Sequence, residues 1–145
     1  MQSTYSSCLT KQEEVESIFT PLASPEQKYQ KLIELGKTLP PPALEFHSPE
    51  NIVYGCQSIV YLRSFLKEGN LFFEIASEAL ISSGLAALLL LVYNGQPPEV
   101  ILKCPPDFLD KLGITASLSP GRSNGLASIY LRMKQESLKA LLNAN

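Results

Sequence analysis

Residues Leu85–Tyr93 form an unbroken apolar run, and no other feature of this chain restricts its fold as strongly. Ser77 offers a helix cap ahead of Glu78 and Asn94-Gly95 offers a stop, so Glu78 to Tyr93 reads as one helix. A helix that is apolar on every side has to be covered on every side. Crossing a bilayer takes ~20 apolar residues, far more than this run supplies. The rest of the 145 residues must therefore wrap around it, and Gly84 at its head lets one neighbour come close. A chain of this length suits a single domain spanning 1–145.

The covering elements read partly as helix and partly as strand. Ser24-Pro25-Glu26-Gln27 places a capping serine, a proline at the first helical position and a glutamine three residues after the cap. Tyr29, Leu32 and Ile33 follow at helical spacing, and Gly36 supplies a stop. Lys11–Phe19 reads as a short helix behind a loose polar arm at residues 1–10. Leu39-Pro40-Pro41-Pro42 cannot lie inside a helix, because each proline lacks an N–H and holds its predecessor extended. The stretch from there to Ser48-Pro49 is a stiff surface connection, and it contains His47. Strands follow at Asn51–Tyr54, Ser58–Lys67 and Leu71–Ala76, with bends at Gly55-Cys56-Gln57 and Glu68-Gly69-Asn70. Pro97-Pro98-Glu99 opens a short helix ending near Cys104, and Asp107–Leu112 makes one more turn. A last helix runs from Ser123 to about Leu142, with Leu126, Ile129, Tyr130, Met133, Leu138 and Leu141 on its apolar face. The expected fold class is α+β: a small three-stranded antiparallel sheet covered by helices.

Composition narrows the function. Charged residues are 18% of the chain, below the usual ~25%. A formal net charge of −2 provides no basic field for nucleic acid or an anionic membrane surface, so neither is an expected partner. Three cysteines (Cys8, Cys56 and Cys104) and one histidine give neither a disulfide framework nor the four ligands of a structural zinc site. Met1 to Glu16 lacks the basic segment and apolar core of a secretory signal, so a reducing, cytoplasmic setting is expected.

No glycine-rich phosphate loop follows a strand and no G-x-S-x-G elbow is present. Cys56 is the one residue placed like a reagent, in a bend beside Gly55 and next to the small or polar Gln57 and Ser58. Read by itself it has two readings. Spacing alone favours an inert, half-buried cysteine; the other is a nucleophile whose thiolate fraction a nearby cation or N–H group raises. Cys104 at a helix end fits the inert reading, and Cys8 on the arm has no evident role. Arg122, at the start of the last helix, opposes the macrodipole by ~0.3–1 kcal/mol. It is either solvated or a contact to a thiolate, carboxylate or partner surface. Glu78 sits where the dipole of the central helix favours an acid.

Specific strings then resemble a known family. Lys28-Tyr29 with Leu32-Ile33-Glu34-Leu35-Gly36-Lys37, Val53-Tyr54-Gly55-Cys56-Gln57-Ser58, the helix from Ser77 through Gly84-Leu85-Ala86-Ala87-Leu88-Leu89, and Leu118-Ser119-Pro120 with Arg122-Ser123-Asn124-Gly125-Leu126 occur in order. Together they resemble the SufE family of sulfur-acceptor proteins over roughly residues 28–132. The chain departs from the family pattern at Ile59, Tyr61, Glu78, Ser83, Ser117 and Gly121, none of them at the cysteine, and these positions bear on partner choice. The resemblance implies that Cys56 accepts sulfur from a cysteine desulfurase, which carries its own pyridoxal phosphate, and passes it to an iron–sulfur scaffold. No cofactor of this chain's own is implied. It also implies a cysteine loop that shelters its sulfur in an apolar pocket, for which Tyr54, Val60 and the Leu85–Leu91 helix are the expected lining. Gly55, Gln57 and Ser58 would support the loop, and Arg122 and Glu78 would contact the thiolate or partner. Two other readings stay open: a docking module that activates a desulfurase without carrying sulfur, and a cysteine hydrolase built from Cys56 and His47.

Overall fold

The computed structural model describes residues 6–39, 48–56, 58–114 and 120–143, with side chains from 125 onward in the last span. Its centre is the expected apolar helix, α3 (Leu80–Tyr93), whose Gly84–Leu89, Val92 and Tyr93 are buried. Leu91 alone of that run faces solvent. Around it stand α1 (Ser6–Phe19), α2 (Pro25–Gly36), the hairpin β1 (Val60–Lys67) and β2 (Asn70–Ser77), the short α4 (Pro98–Lys103) and α5 (Phe108–Lys111), and α6 (Pro120–Asn143). Helices α1, α2 and α6 and strand β2 all pack on α3. The fold is α+β.

Helix α2 forms as its sequence predicts. The Ser24 hydroxyl accepts from the Gln27 N–H at 3.2 Å, and the Gln27 side chain accepts from the N–H of Ser24 at 3.3 Å, closing a reciprocal cap. Gly36 is the last helical residue, and its use is closeness. A Cβ there would stand 2.8 Å from the Gly84 amide, and a Cβ on Gly84 would overlap the Leu32 backbone carbonyl. Two glycines thus let α2 and α3 approach backbone to backbone.

Among the described residues the sheet has two strands, not the expected three. β1 and β2 pair antiparallel from Val60↔Ser77 to Lys67↔Asn70. Glu68 (φ 53°) and Gly69 (φ 83°) make a two-residue primed turn whose twist matches the strands. Val60, Leu62, Leu71, Phe73 and Ile75 alternate onto the buried face. The expected third strand survives only as the Ile52↔Tyr61 bridge and a Val53 N–H to Val60 carbonyl bond of 2.8 Å. A 3-10 turn opened by proline (Pro49–Asn51) precedes it and the Gly55 bend follows, so too few extended residues remain between them. β2 also runs on through Ser77, so α3 starts at Leu80 and Glu78 lies in the connection rather than in the helix's first turn.

Residues 6–10, expected as a loose arm, are the first turns of α1, and Cys8 is fully buried. Cys8, Gln12, Val15 and Phe19 share one face of that helix. The face is easily missed, because a buried glutamine interrupts its apolar pattern. Gln12 Nε2 donates to the Pro105 carbonyl at 3.1 Å and lies 3.5 Å from Cys104 Sγ and 3.7 Å from Cys8 Sγ. Tyr93 Oη donates to the Cys104 carbonyl (2.6 Å) and Tyr130 Oη to the Ile101 carbonyl (2.9 Å), tying α4 to α3 and α6. In α6, Leu126, Ile129, Met133 and Ser137 are buried, whereas Leu138 and Leu141 are exposed. Ser137 and Ala140 continue the buried stripe at i+4 and i+7 from Met133, so a small polar residue holds a place expected for leucine.

Candidate functional site

The chain reaches Cys56 through a short guided path. The Ile52 bridge and the Val53 bond hold it beside β1, and then Gly55 turns it with φ 97°, in the left-handed region that an L side chain resists. A Cβ on Gly55 would overlap Ser128 Oγ of α6, so this glycine serves both the turn and a close approach. Cys56 then lies over Gly125 of α6. A Cβ on Gly125 would stand 3.6 Å from Cys56 Sγ, an ordinary packing distance. The thiol's bond is to the Gly125 carbonyl, at 3.7 Å.

This seat has a chemical consequence. A carbonyl oxygen accepts a proton-bearing thiol and repels a thiolate. Cys56 is half-buried against the core, and that burial pushes its thiol above the ordinary 9.0. The seated Cys56 is therefore a protected thiol, and attack requires it to leave the Gly125 carbonyl. Of the expected lining, Tyr54 is 76% exposed and turns most of its surface to solvent, whereas Val60 and Leu85, Leu88 and Leu89 of α3 belong to the buried core against which Cys56 packs; the sulfur itself rests on Gly125 of α6.

Beside the loop lies an open cleft of about 440 Å³, lined by Ser58, Ile59, Tyr61, Ala76, Ser77 and Glu78, with Ala79 completing it. Ser58 and Glu78 thus share one surface, with Ser58 half-buried and Glu78 exposed. Tyr54 and Ile59, two residues before and three after Cys56 in the chain, are 76% and 63% exposed. Arg122 belongs to the first turns of α6, and its side chain, like Gln57 and His47, lies outside the described residues. Gly125, Ser128 and, through the loop's base, Arg132 are the site residues that reading along the chain did not single out. Gly125 was visible only as one letter of a motif. Among the described residues no group of three or more histidine, cysteine, aspartate or glutamate side chains could hold a metal ion, and no helix is long and apolar enough to cross a membrane.

The family and the fold of the chain have counterparts among known proteins. The family model described as "SufE: Fe-S metabolism associated domain" matches residues 13–137. SufE-like protein 1, chloroplastic/mitochondrial, of Arabidopsis thaliana is 39% identical over 129 residues, covering 88% of this chain but only 35% of that longer protein. An uncharacterized SufE-like protein of Synechocystis is 35% identical over 114 residues, covering 79% of this chain and 72% of its own length. The solution structure of a hypothetical protein from Thermus thermophilus superposes with a TM-score of 0.76 at 26% identity, covering 92% of this chain and 97% of that one.

Proposed function

The chain belongs to the SufE family, and from that premise we propose that it takes sulfane sulfur onto Cys56 from a cysteine desulfurase and passes it to an iron–sulfur scaffold protein. Its family association with iron–sulfur metabolism gives the setting; the carrier chemistry is our reading of the site. In the transfer, the Cys56 thiolate attacks the outer sulfur of the desulfurase's cysteine persulfide. A new bond forms between Cys56 Sγ and that sulfur, the old sulfur–sulfur bond breaks, and the desulfurase's cysteine leaves as thiolate. The exchange is redox-neutral, and the proton released by Cys56 balances the one the leaving thiolate takes up. Pyridoxal phosphate stays with the desulfurase, and relieving that enzyme of its persulfide is how this chain would stimulate it.

The observation that carries the reading is the half-buried seat of Cys56 on α6, at the tip of a glycine bend, where its thiol makes a long hydrogen bond to the Gly125 carbonyl. Such a seat shelters a sulfur nucleophile from stray thiols and oxidants and yet releases it at little cost. Exposed Tyr54 and Ile59 offer the docking desulfurase apolar contacts beside the sulfur. The test is intact-mass spectrometry after incubation with a cysteine desulfurase and cysteine. Wild type should gain the mass of one sulfur, Cys56→Ser should not, and Cys8→Ser and Cys104→Ser should behave as wild type. Full stimulation of the desulfurase by Cys56→Ser would instead favour a docking module that carries no sulfur.

A further inference from the structure

One face of α6 forms the bed of the cysteine loop. Gly125 packs on Cys56 and Ser128 lies against Gly55. Arg132, at the next position along the same i, i+3, i+7 stripe, reaches the segment that leads into the loop. Its Nη1 donates to the Ile52 carbonyl at 2.9 Å and its Nη2 to the Glu50 carbonyl at 2.5 Å. Its Nε faces Glu136 Oε2 at 3.3 Å. The other oxygen of Glu136 accepts from Ser64 Oγ of β1 at 2.8 Å, so the carboxylate is itself held in place, with Lys139 Nζ 3.4 Å from Oε2. One mostly buried guanidinium thus ties the two carbonyls upstream of the cysteine to α6 and, through the Glu136 carboxylate, to β1.

The base and the tip of the loop are held differently. Charge-assisted bonds hold residues 50 and 52, and a planar fork of donors is well shaped to span two carbonyls and a carboxylate together. Among the described residues, the tip rests on van der Waals contact with Gly125 and Ser128 and on a thiol bond of 3.7 Å. We propose that Arg132 is a positioning residue that pins the base of the Cys56 loop to α6, so that the tip leaves its seat along a fixed path while the base stays. As a role in sulfur transfer this rests on Cys56 being the acceptor; as a statement about the loop it does not.

The test pairs two readouts. Alkylation of Cys56 by iodoacetamide reports how freely the sulfur is exposed, and sulfur uptake from a cysteine desulfurase reports whether it is presented correctly. In Arg132→Ala, alkylation should rise by about tenfold, the change that about 1.4 kcal/mol of anchoring corresponds to, while sulfur uptake falls. Arg132→Lys, a point charge that cannot span all three acceptors, should lie between wild type and alanine in both. Lys31→Ala, which removes a surface ion pair with Glu34 far along the chain, should match wild type in both. Buried Cys8 and Cys104 serve as internal controls and should stay unreactive. If Arg132→Ala does not fold, Arg132→Lys and Glu136→Gln carry the same comparison. Wild-type alkylation in these variants, or a parallel rise at Cys8 and Cys104, overturns the proposal. A wild-type chain that takes up no sulfur, together with faster alkylation in Arg132→Ala, would overturn the acceptor reading and leave the anchor standing.

Discussion

Replacing Gly55 with alanine asks whether the loop's shape, and not only its cysteine, matters. The perturbation has two parts. An L residue held in the left-handed region costs about 1–2 kcal/mol, and Gly55 has φ 97°. A methyl would also overlap Ser128 Oγ, an atom that can rotate away, and would stand 3.3 Å from Ser128 Cβ, which cannot. The strain exists only in the seated loop, so the loop should relieve it by leaving the seat rather than by unfolding the domain. A 1–2 kcal/mol bias changes a two-state population by a factor of about 5–30. Iodoacetamide should therefore modify Cys56 several-fold faster, up to about 30-fold, with little change in Tm. In a Ser128→Ala background the hydroxyl overlap is gone, and whatever increase remains measures the backbone strain together with the 3.3 Å contact to the Cβ of residue 128. Wild-type alkylation together with wild-type Tm in Gly55→Ala would refute the reasoning, because the seat would then tolerate a side chain that the geometry excludes.

The remaining predictions address acidity, the core and acid stability. The rate of Cys56 alkylation against pH should rise with a midpoint above the ordinary thiol value of 9.0, because burial disfavours the thiolate; a midpoint at or below it would show that the seat does not shield the sulfur. Gly84→Ala should lower stability by about 1–3 kcal/mol in urea unfolding, since the methyl meets the Leu32 backbone and not a movable side-chain end. At Glu136, burial pushes the carboxyl up, but the Ser64 hydroxyl, Lys139 and Arg132 outweigh it and hold it below the ordinary 4.5. A lowered folded value means the contribution is full above the ordinary carboxylate range and is lost as pH falls through the folded value. Urea midpoints measured from about pH 7 down to about pH 3 should therefore fall less steeply for Glu136→Gln than for wild type.

Several readings made along the chain held because their causes are local. The cap of α2 lies within Ser24–Gln27, the turn at Glu68-Gly69 within two residues, and α3 follows from a run of apolar residues that no other arrangement could bury. The family resemblance likewise rests on strings in sequence order, and the match over residues 13–137 agrees with it. The readings that changed depended on partners distant in the chain. Cys8 looked like part of a polar arm, and Gln12 like a polar position of a short helix, until Cys104 and Pro105 were placed against them. Leu138 and Leu141 looked buried because they are leucines, yet the stripe that faces the core passes through Ser137 and Ala140.

The cysteine site divides in the same way. That Cys56 stands in a sharp bend, and that its neighbourhood resembles a sulfur-acceptor motif, was legible from Gly55 and the letters around it. Where the sulfur rests, why its proton is retained and what anchors the loop depend on Gly125, Ser128 and Arg132, between 69 and 82 residues away from their partners or beside others that are. No local pattern encodes such pairings, because a helix face acquires its meaning only when another segment is laid on it. Local sequence determined the bend and the thiol within it; packing against α6 and the core decided that the thiol is sheltered and how its loop is held.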